Sequence, residues 1–190
     1  MSNDIAARRD KACRKLMAQV RVITTKEGNS PSGLHAIKLA LVRLANQTEL
    51  FPPADFALPV SEGRTHPLVV EDNDGHGLYL TVHLPGKEAA PHDHGVWCVN
   101  AAVSGHERHV LFRRAEDDTL IETGSITVAP GTGMAMADRD IHSTLVIGDE
   151  PAIGLALYGY ALARFPSVVW YHTDLSAVRA SPSRRMPVSA

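Results

Sequence analysis

From about residue 66 onward the chain is a series of short apolar runs separated by turn-forming clusters, and no other feature constrains its fold as strongly. The clusters include Asp72-Asn73-Asp74-Gly75, Pro85-Gly86 and Pro130-Gly131. Many short runs at this spacing are typical of an antiparallel barrel or sandwich. The apolar runs cover residues 68–70, 78–84, 96–103, 110–112, 125–128, 143–147, 153–160 and 167–171.

Two amphipathic segments precede the apolar runs. In each, apolar residues recur at steps of three and four positions, which predicts a helix with one buried stripe. Ser30 before Pro31 supplies a cap and a first turn for the second helix. Pro52-Pro53 is predicted to end that helix, because proline cannot continue the helical hydrogen bonds. The stripes are Cys13, Leu16, Met17 and Val20 in the first segment and Leu34, Ile37, Leu41 and Leu44 in the second.

These patterns divide the chain into three parts. We expect residues 1–60 to form a helical segment packed on a β-barrel domain that covers residues 61–179. The last segment, residues 180–190, is rich in serine, proline and arginine and is predicted to be a flexible tail.

The composition is that of a soluble globular protein with room for one hydrophobic core. The 190 residues are 44% hydrophobic and 21% charged, and the formal net charge is −2. No global field would therefore recruit nucleic acid or an anionic membrane, and neither is expected as a partner. The sequence has no apolar run of transmembrane length, no secretory signal and too few cysteines for a disulfide framework. We expect a cytoplasmic monomer or homodimer.

Three histidines form the candidate metal site. On an extended strand, residues two apart point to the same face, so His92 and His94 can both turn inward from one strand. A third ligand must come from elsewhere, and His142 stands at the head of a later apolar run. Three histidines leave positions open on the metal, which catalysis requires. Imidazole suits iron, zinc, copper and nickel, so the ligands alone do not select the metal.

The spacing around these histidines resembles the two cupin motifs. Gly86, His92-Asp93-His94 and Gly105 are spaced as in the first motif, with Cys98 where many cupins carry glutamate. Gly124 and Pro130-Gly131 resemble the start of the second motif, and His142 follows after a longer insertion. The resemblance implies a mainly β fold, the double-stranded β-helix barrel or jelly roll, preceded here by two α-helices.

Among cupins, the chain is most similar to the thiol dioxygenases, which include cysteine dioxygenase and 3-mercaptopropionate dioxygenase. The similarity lies in His92-Asp93-His94-Gly95-Val96-Trp97-Cys98, Asp140-Ile141-His142 and Leu157-Tyr158-Gly159. It implies a non-heme iron-dependent enzyme that uses O2 to oxidise a small thiol to a sulfinate. The expected cofactor is Fe(II) on His92, His94 and His142, with zinc or nickel as alternatives in the purified protein.

The same resemblance assigns Tyr158 and Cys98 as candidate catalytic residues. The tyrosine of the family lies beside the iron, and a phenol can donate or accept a hydrogen bond near reduced oxygen. Some family members crosslink this tyrosine to a cysteine at the position of Cys98, but we expect no crosslink here. The family's serine and histidine that support the tyrosine are replaced by Gly154 and Ala156.

Substrate recognition also departs from the family pattern. His66 stands where the family has a carboxylate-binding arginine, and Arg64 would share its face on a strand. We therefore take Arg64 and His66 as candidate substrate-binding residues and expect weak binding of carboxylate-bearing thiols such as cysteine. Trp97 is a third candidate, as a wall of the substrate pocket.

Two alternatives remain open at this stage. One is a three-histidine cupin dioxygenase that cleaves a carbon–carbon bond, and the other is a non-catalytic metal-binding or sensing cupin. The remaining histidines suggest no second site: His83 is interpreted as a residue of the barrel rim, and His106 and His109 as parts of a solvated hairpin.

Overall fold

The computed structural model describes residues 2–58, 63–71, 75–86, 88–117, 119–164 and 169–170. The predicted tail at residues 180–190 lies outside the described residues. Within them, two α-helices come first, α1 (Ser2–Glu27) and α2 (Pro31–Ala45). No helix in the described part of the chain combines the length and the apolar character that a bilayer span requires.

Both helices bury the stripes that the sequence predicts. Ser30 caps α2 as expected, because its Oγ accepts a hydrogen bond from the Gly33 N–H at 3.2 Å. The predicted end of α2 at Pro52-Pro53 is wrong, since the helix ends at Ala45. A turn at residues 48–50 follows and brings the side chains of Leu50 and Phe51 into the core. Burial of these two side chains, and not the prolines, decides where the chain leaves the helix.

In the described part of the chain, ten β-strands follow the helices. They are β1 (Gly63–Val70), β2 (Gly77–His83), β3 (Glu88–Asp93), β4 (Cys98–Ser104), β5 (His106–Arg114), β6 (Leu120–Val128), β7 (Gly133–Met136), β8 (Ile141–Ile147), β9 (Ala152–Tyr158) and β10 (Val169–Trp170). The apolar runs anticipate most of them, whereas β3 and β7 have no matching run. In β7, Gly133 lies close to the backbone of Asn100, where a Cβ atom would be 2.5 Å from the carbonyl oxygen.

The strands form two five-stranded antiparallel sheets. The helix-backed sheet has the order β1-β2-β9-β4-β7, and the histidine sheet has the order β10-β3-β8-β5-β6. Between β2 and β9 the chain crosses from one sheet to the other at every connection except the β5–β6 hairpin. This winding, with four strands of each sheet taking part, is the jelly roll of two Greek keys. The predicted cupin barrel with two preceding helices is therefore confirmed.

The two faces of the helix-backed sheet are chemically different. Along β2, Leu78, Leu80 and Val82 join the core that the helices cover, while Tyr79 and Thr81 point to the barrel interior. β9 repeats the pattern, with Leu155 and Leu157 in the core beneath the helices. Side chains alternate in this way because the strand repeat is two residues. The inward positions of this sheet are filled by aromatic, small and sulfur-containing side chains together with Thr81.

Candidate metal centre

The three predicted ligands come together on the histidine sheet. β3 pairs with β8 so that His92 lies directly opposite His142, and His94 follows one residue after the end of β3. The exposed fractions of His92, His94 and His142 are 5%, 5% and 2%. Their ligand nitrogens all lie within 4.8 Å of one another. The sequence prediction of this histidine cluster agrees with the geometry.

The spacing of the nitrogens fits one metal ion. Nε2 of His94 and Nε2 of His142 are 3.2 Å apart. Two nitrogens bound at 2.0–2.1 Å to a shared ion, at right or tetrahedral angles, are about 3 Å apart. Nδ1 of His92 donates to the Ala90 carbonyl oxygen at 2.8 Å, which leaves its Nε2 as the ligand atom. The donor set is that of a mononuclear site with open positions.

Burial keeps these imidazoles neutral. Desolvation lowers the pKa of His92 from 6.5 to about 4, against the opposing hydrogen bond to Ala90. It lowers the pKa of His94 and His142 well below the same ordinary value. Neutral imidazole is the form that binds a metal, so protons compete little with the ion at neutral pH.

A network of polar side chains surrounds the other side of His142. Nδ1 of His142 lies 3.1 Å from Nδ1 of His109, and the two rings are nearly parallel, with 14° between their planes and 5.3 Å between their centroids. Oγ1 of Thr144 lies 3.2 Å from the same His109 nitrogen. Oε2 of Glu107 is 3.4 Å from Nε2 of His109, and Oε1 of Glu107 is 2.5 Å from Nδ1 of His83. This network thus connects the ligand His142 on β8 with His109 and Glu107 on β5 and with His83 at the end of β2.

The interpretation of His109 as part of a solvated hairpin is wrong. His109 is 1% exposed and Glu107 is 8% exposed, whereas His106, the first residue of β5, is exposed. The period of two therefore places Glu107 and His109 inside and His106 outside. The spacing Glu-x-His on a strand that pairs with the His142 strand is the signal that could have identified them.

The charges of this network favour an ionised Glu107. Burial by itself raises the pKa of Glu107, but His83 and His109 outweigh it and hold that pKa well below its ordinary value. The pKa of His83 is raised, because Glu107 outweighs the effect of desolvation. Glu107 and His83 therefore form a partly buried ion pair at the rim of the barrel interior.

The metal centre opens into a small interior cavity of about 80 Å³. The lining combines the three ligands with polar, uncharged side chains and small residues of the helix-backed sheet. Glu107 and His83 are also exposed to it, and no lysine or arginine is among the described lining residues. The lining includes Thr81, Asn100, Ala101, Val128, Thr144, Gly154, Ala156 and Tyr158.

Tyr158 and Cys98 face the metal centre from the opposite sheet. The Tyr158 ring lies 5.2 Å from the His94 ring, centroid to centroid. Cys98 is the cross-strand neighbour of Tyr158 in the β4–β9 pair, and its thiol donates to Oδ1 of Asn100 at 3.4 Å. Burial, together with Cys98, raises the pKa of Tyr158 well above its ordinary value. Tyr158 is thus close to His94, with a phenol that stays protonated, and Cys98 lies beside Tyr158.

Arg64 and His66 lie elsewhere. They share a face of β1, as predicted, but that face lies toward α1 and lines a separate cavity of about 340 Å³. Thr65 has the inward position, because it is buried and pairs with Thr81 of the cavity wall. The His66 ring packs instead against Phe56, with centroids 5.5 Å apart. Neither residue therefore lines the cavity at the metal centre, and their role in substrate binding stays a prediction.

Trp97 is a core residue and does not line the metal cavity. It is 8% exposed and belongs to the apolar cluster that the helices cover. Its carbonyl oxygen accepts a hydrogen bond from the Gly159 N–H at 3.0 Å, and its ring lies 5.3 Å from that of His76. The expected role as a pocket wall is wrong, because Val96 and Cys98 take the inward positions on either side of Trp97.

No family model matches the sequence, and no curated protein matches it. Among solved structures, an uncharacterized conserved protein with a double-stranded β-helix domain from Klebsiella pneumoniae is similar at 18% identity, over 57% of this chain and 81% of that one, with a TM-score of 0.43. A DMSP lyase from Ruegeria pomeroyi is similar at 18% identity, over 55% and 49% of the two chains, with a TM-score of 0.42.

A Cupin_2 domain of an XRE-family transcriptional regulator from Enterobacter cloacae is similar at 18% identity, over 53% of this chain and 99% of that one, with a TM-score of 0.40. The similar region spans only 25% of the oxalate decarboxylase of Lactobacillus farciminis and 50% of an oxalate oxidase. These likenesses are distant. The strand order of this chain defines its fold, and its own side chains define the site.

Proposed function

We propose that this protein is an iron-dependent dioxygenase that converts a small thiol and O2 to a sulfinate and a proton. The observation that carries the proposal is the convergence of three buried, neutral imidazoles, with no carboxylate in the described ligand group. A bound ferrous ion would keep its full double charge there, deprotonate a thiol on binding and supply the redox chemistry that joins the thiolate to O2.

Tyr158 is placed to hold a proton beside the reacting groups. Its hydroxyl stays protonated because burial and Cys98 raise its pKa, so the phenol can donate a hydrogen bond into the cavity. The ring lies against His94 and is only 4% exposed, so bulk water does not compete for that donor. Cys98 lies beside Tyr158, and the absence of a crosslink between them stays a prediction.

The cavity wall favours a thiol without a carboxylate. Charge-assisted hydrogen bonds contribute about 1.5–3 kcal/mol each, and a carboxylate clamp normally uses an arginine for two of them. The described lining has no arginine or lysine, and the Glu107 carboxylate would repel a second one. Thr81, Asn100 and Thr144 offer hydrogen bonds to an uncharged headgroup.

A non-catalytic metal sensor is the second candidate. The observation that favours it is the wall opposite the histidines, where Gly154 and Ala156 line the cavity. Neither side chain can support the Tyr158 hydroxyl, and a group without such support is held less firmly in its working position.

The test is oxygen uptake by the iron-loaded protein over a panel of thiols. We expect one O2 consumed per sulfinate formed, with lower KM for 2-mercaptoethanol than for cysteine or 3-mercaptopropionate. Tyr158→Phe should lower kcat about tenfold or more, because it removes a positioned proton donor. The variant should still bind iron. Tyr160→Phe is the matched control, because Tyr160 is 42% exposed.

The alternatives give different results in the same assay. No oxygen uptake with any thiol, despite full iron occupancy, would contradict the dioxygenase and favour the sensor. Cleavage of a diketone or of gentisate without thiol oxidation would favour the carbon–carbon bond-cleaving enzyme instead. Metal analysis of untagged protein, carried out first, shows whether iron, zinc or nickel is bound.

A further inference from the structure

A chain of buried side chains connects the metal centre with the barrel rim. It runs from His142 to His109, from His109 to Glu107 and from Glu107 to His83 over distances of 3.1, 3.4 and 2.5 Å. Its inner three members are 2%, 1% and 8% exposed. Polar groups buried to this extent cost free energy unless each has a hydrogen-bond partner. Each contact in this series of side chains therefore has a defined donor and a defined acceptor.

The Glu107 carboxylate determines which nitrogen of His109 carries the proton. Nε2 of His109 is buried and makes no standard hydrogen bond, and Oε2 of Glu107 faces it at 3.4 Å. A proton on Nε2 is attracted to the carboxylate, whereas an unprotonated Nε2 would set two lone pairs against each other. His109 therefore carries its proton on Nε2, and its Nδ1 is an acceptor.

Nδ1 of His109, as an acceptor, then determines which nitrogen of His142 carries the proton. Two nitrogens 3.1 Å apart need one proton between them, so Nδ1 of His142 donates to Nδ1 of His109. Nε2 of His142 is left unprotonated, and this is the nitrogen that lies 3.2 Å from Nε2 of His94. The two ring planes differ by only 14°, and the hydrogen bond between the Nδ1 atoms fixes the direction of that nitrogen.

We propose that Glu107 is a positioning residue of the metal centre, which acts through His109 to keep the proton of His142 on Nδ1 and its Nε2 ready to bind the ion. The inference rests on the three-histidine site as a metal site and not on thiol oxidation. Glu107 does not bind the metal itself, because it is outside the group of nitrogens that converge. His83 holds the second oxygen of the carboxylate and keeps it aimed at His109.

The first measurement is the affinity of the metal-free full chain for Co²⁺ or Zn²⁺, by competition with a chelator. Loss of a partner that orders a ligand typically costs 10–100-fold in metal affinity, and we expect Glu107→Gln to fall in that range. Glu107→Asp keeps the charge and should recover most of the affinity. Glu122→Gln, an exposed position on the neighbouring β6, is the matched control and should change nothing.

The second measurement is the tautomer of His142 in the metal-free protein, from long-range ¹H–¹⁵N NMR correlations. The wild type should carry the proton on Nδ1, and Glu107→Gln should give a mixture of tautomers. A wild-type proton on Nε2 overturns the proposal even if Glu107→Gln fails to fold. Unchanged metal affinity in folded Glu107→Gln overturns it as well. Tight metal binding without thiol oxidation, by contrast, would remove only the proposed activity.

Discussion

The two sheets of the barrel use the same strand geometry for different purposes. In the helix-backed sheet, β9 is buried along its whole length, because the helices cover one face and the barrel interior the other. In the histidine sheet, β5 alternates between exposed and buried positions at its start, and β6 is buried only at its two ends. Apolar burial is concentrated in the first sheet, and polar groups that face inward are concentrated in the second.

This difference separates stability from chemistry. All three metal ligands come from β3, the residue after it and β8, so the metal site is assembled within one sheet. The helix-backed sheet contributes Tyr158 and Cys98 across the cavity, but its energetic role is the apolar core. Substitutions of the ligands in the histidine sheet should therefore weaken metal binding and leave the fold intact. Substitutions in the apolar core of the helix-backed sheet should lower the stability and leave metal binding intact.

The largest expected effect is on metal binding. His142→Ala should lower the affinity for Fe²⁺ or Co²⁺ by more than about a hundredfold, because even partners outside the ligand set cost 10–100-fold. The circular dichroism spectrum should stay that of a folded barrel, since packing of the helix-backed sheet does not involve His142. His35→Ala, an exposed histidine on α2, is the control and should keep the metal. Full iron retention by His142→Ala would mean that the ligand set is wrong.

The reverse pattern is expected in the core beneath the helices. Leu41 of α2 is fully buried, and Leu41→Ala should lower the free energy of unfolding by about 2–5 kcal/mol through lost burial and a cavity. Metal affinity of the folded protein should stay that of the wild type. Urea unfolding measures the first quantity, and chelator competition measures the second. Leu39→Ala on the same helix is the control, because Leu39 is 45% exposed.

The third expected effect is the pH dependence of the stability of the metal-free protein. The pKa of His92 is about 4 in the folded protein against 6.5 in the unfolded chain, so only the unfolded chain takes up a proton as the pH falls between these values. The contribution of His92 to stability should be constant above about pH 6.5 and lost toward pH 4, by roughly 3 kcal/mol. His94 and His142 act in the same direction.

A variant isolates this contribution. His92→Gln should flatten the loss of unfolding free energy between neutrality and about pH 4, as measured by urea titration at several pH values. The pKa of His83 is raised, so its stabilising effect is lost only as the pH rises, above the window in which His92 acts. An identical pH profile in the wild type and in His92→Gln would contradict the assignment of His92 as a buried neutral ligand.

Local sequence patterns were sufficient for the parts of this protein that depend on neighbours along the chain. The three-to-four repeat of apolar residues predicted both helices, and the turn clusters predicted most strands. The spacing of His92 and His94 predicted a shared direction, because alternation on a strand is a property of the backbone itself. These features need no knowledge of what packs against them.

Only the tertiary structure decided which face of each strand is the inside. The period of two places Arg64 and His66 on one face of β1, and Glu107 and His109 on one face of β5. It does not determine which of these faces points to the metal centre. Both faces of β1 are covered, one by α1 and one by the barrel interior, so burial of an apolar side chain cannot identify the inner face there. On β5 the inward Glu107 and His109 are polar, the reverse of the usual pattern. Their place follows from pairing with the His142 strand, a contact between residues more than thirty positions apart.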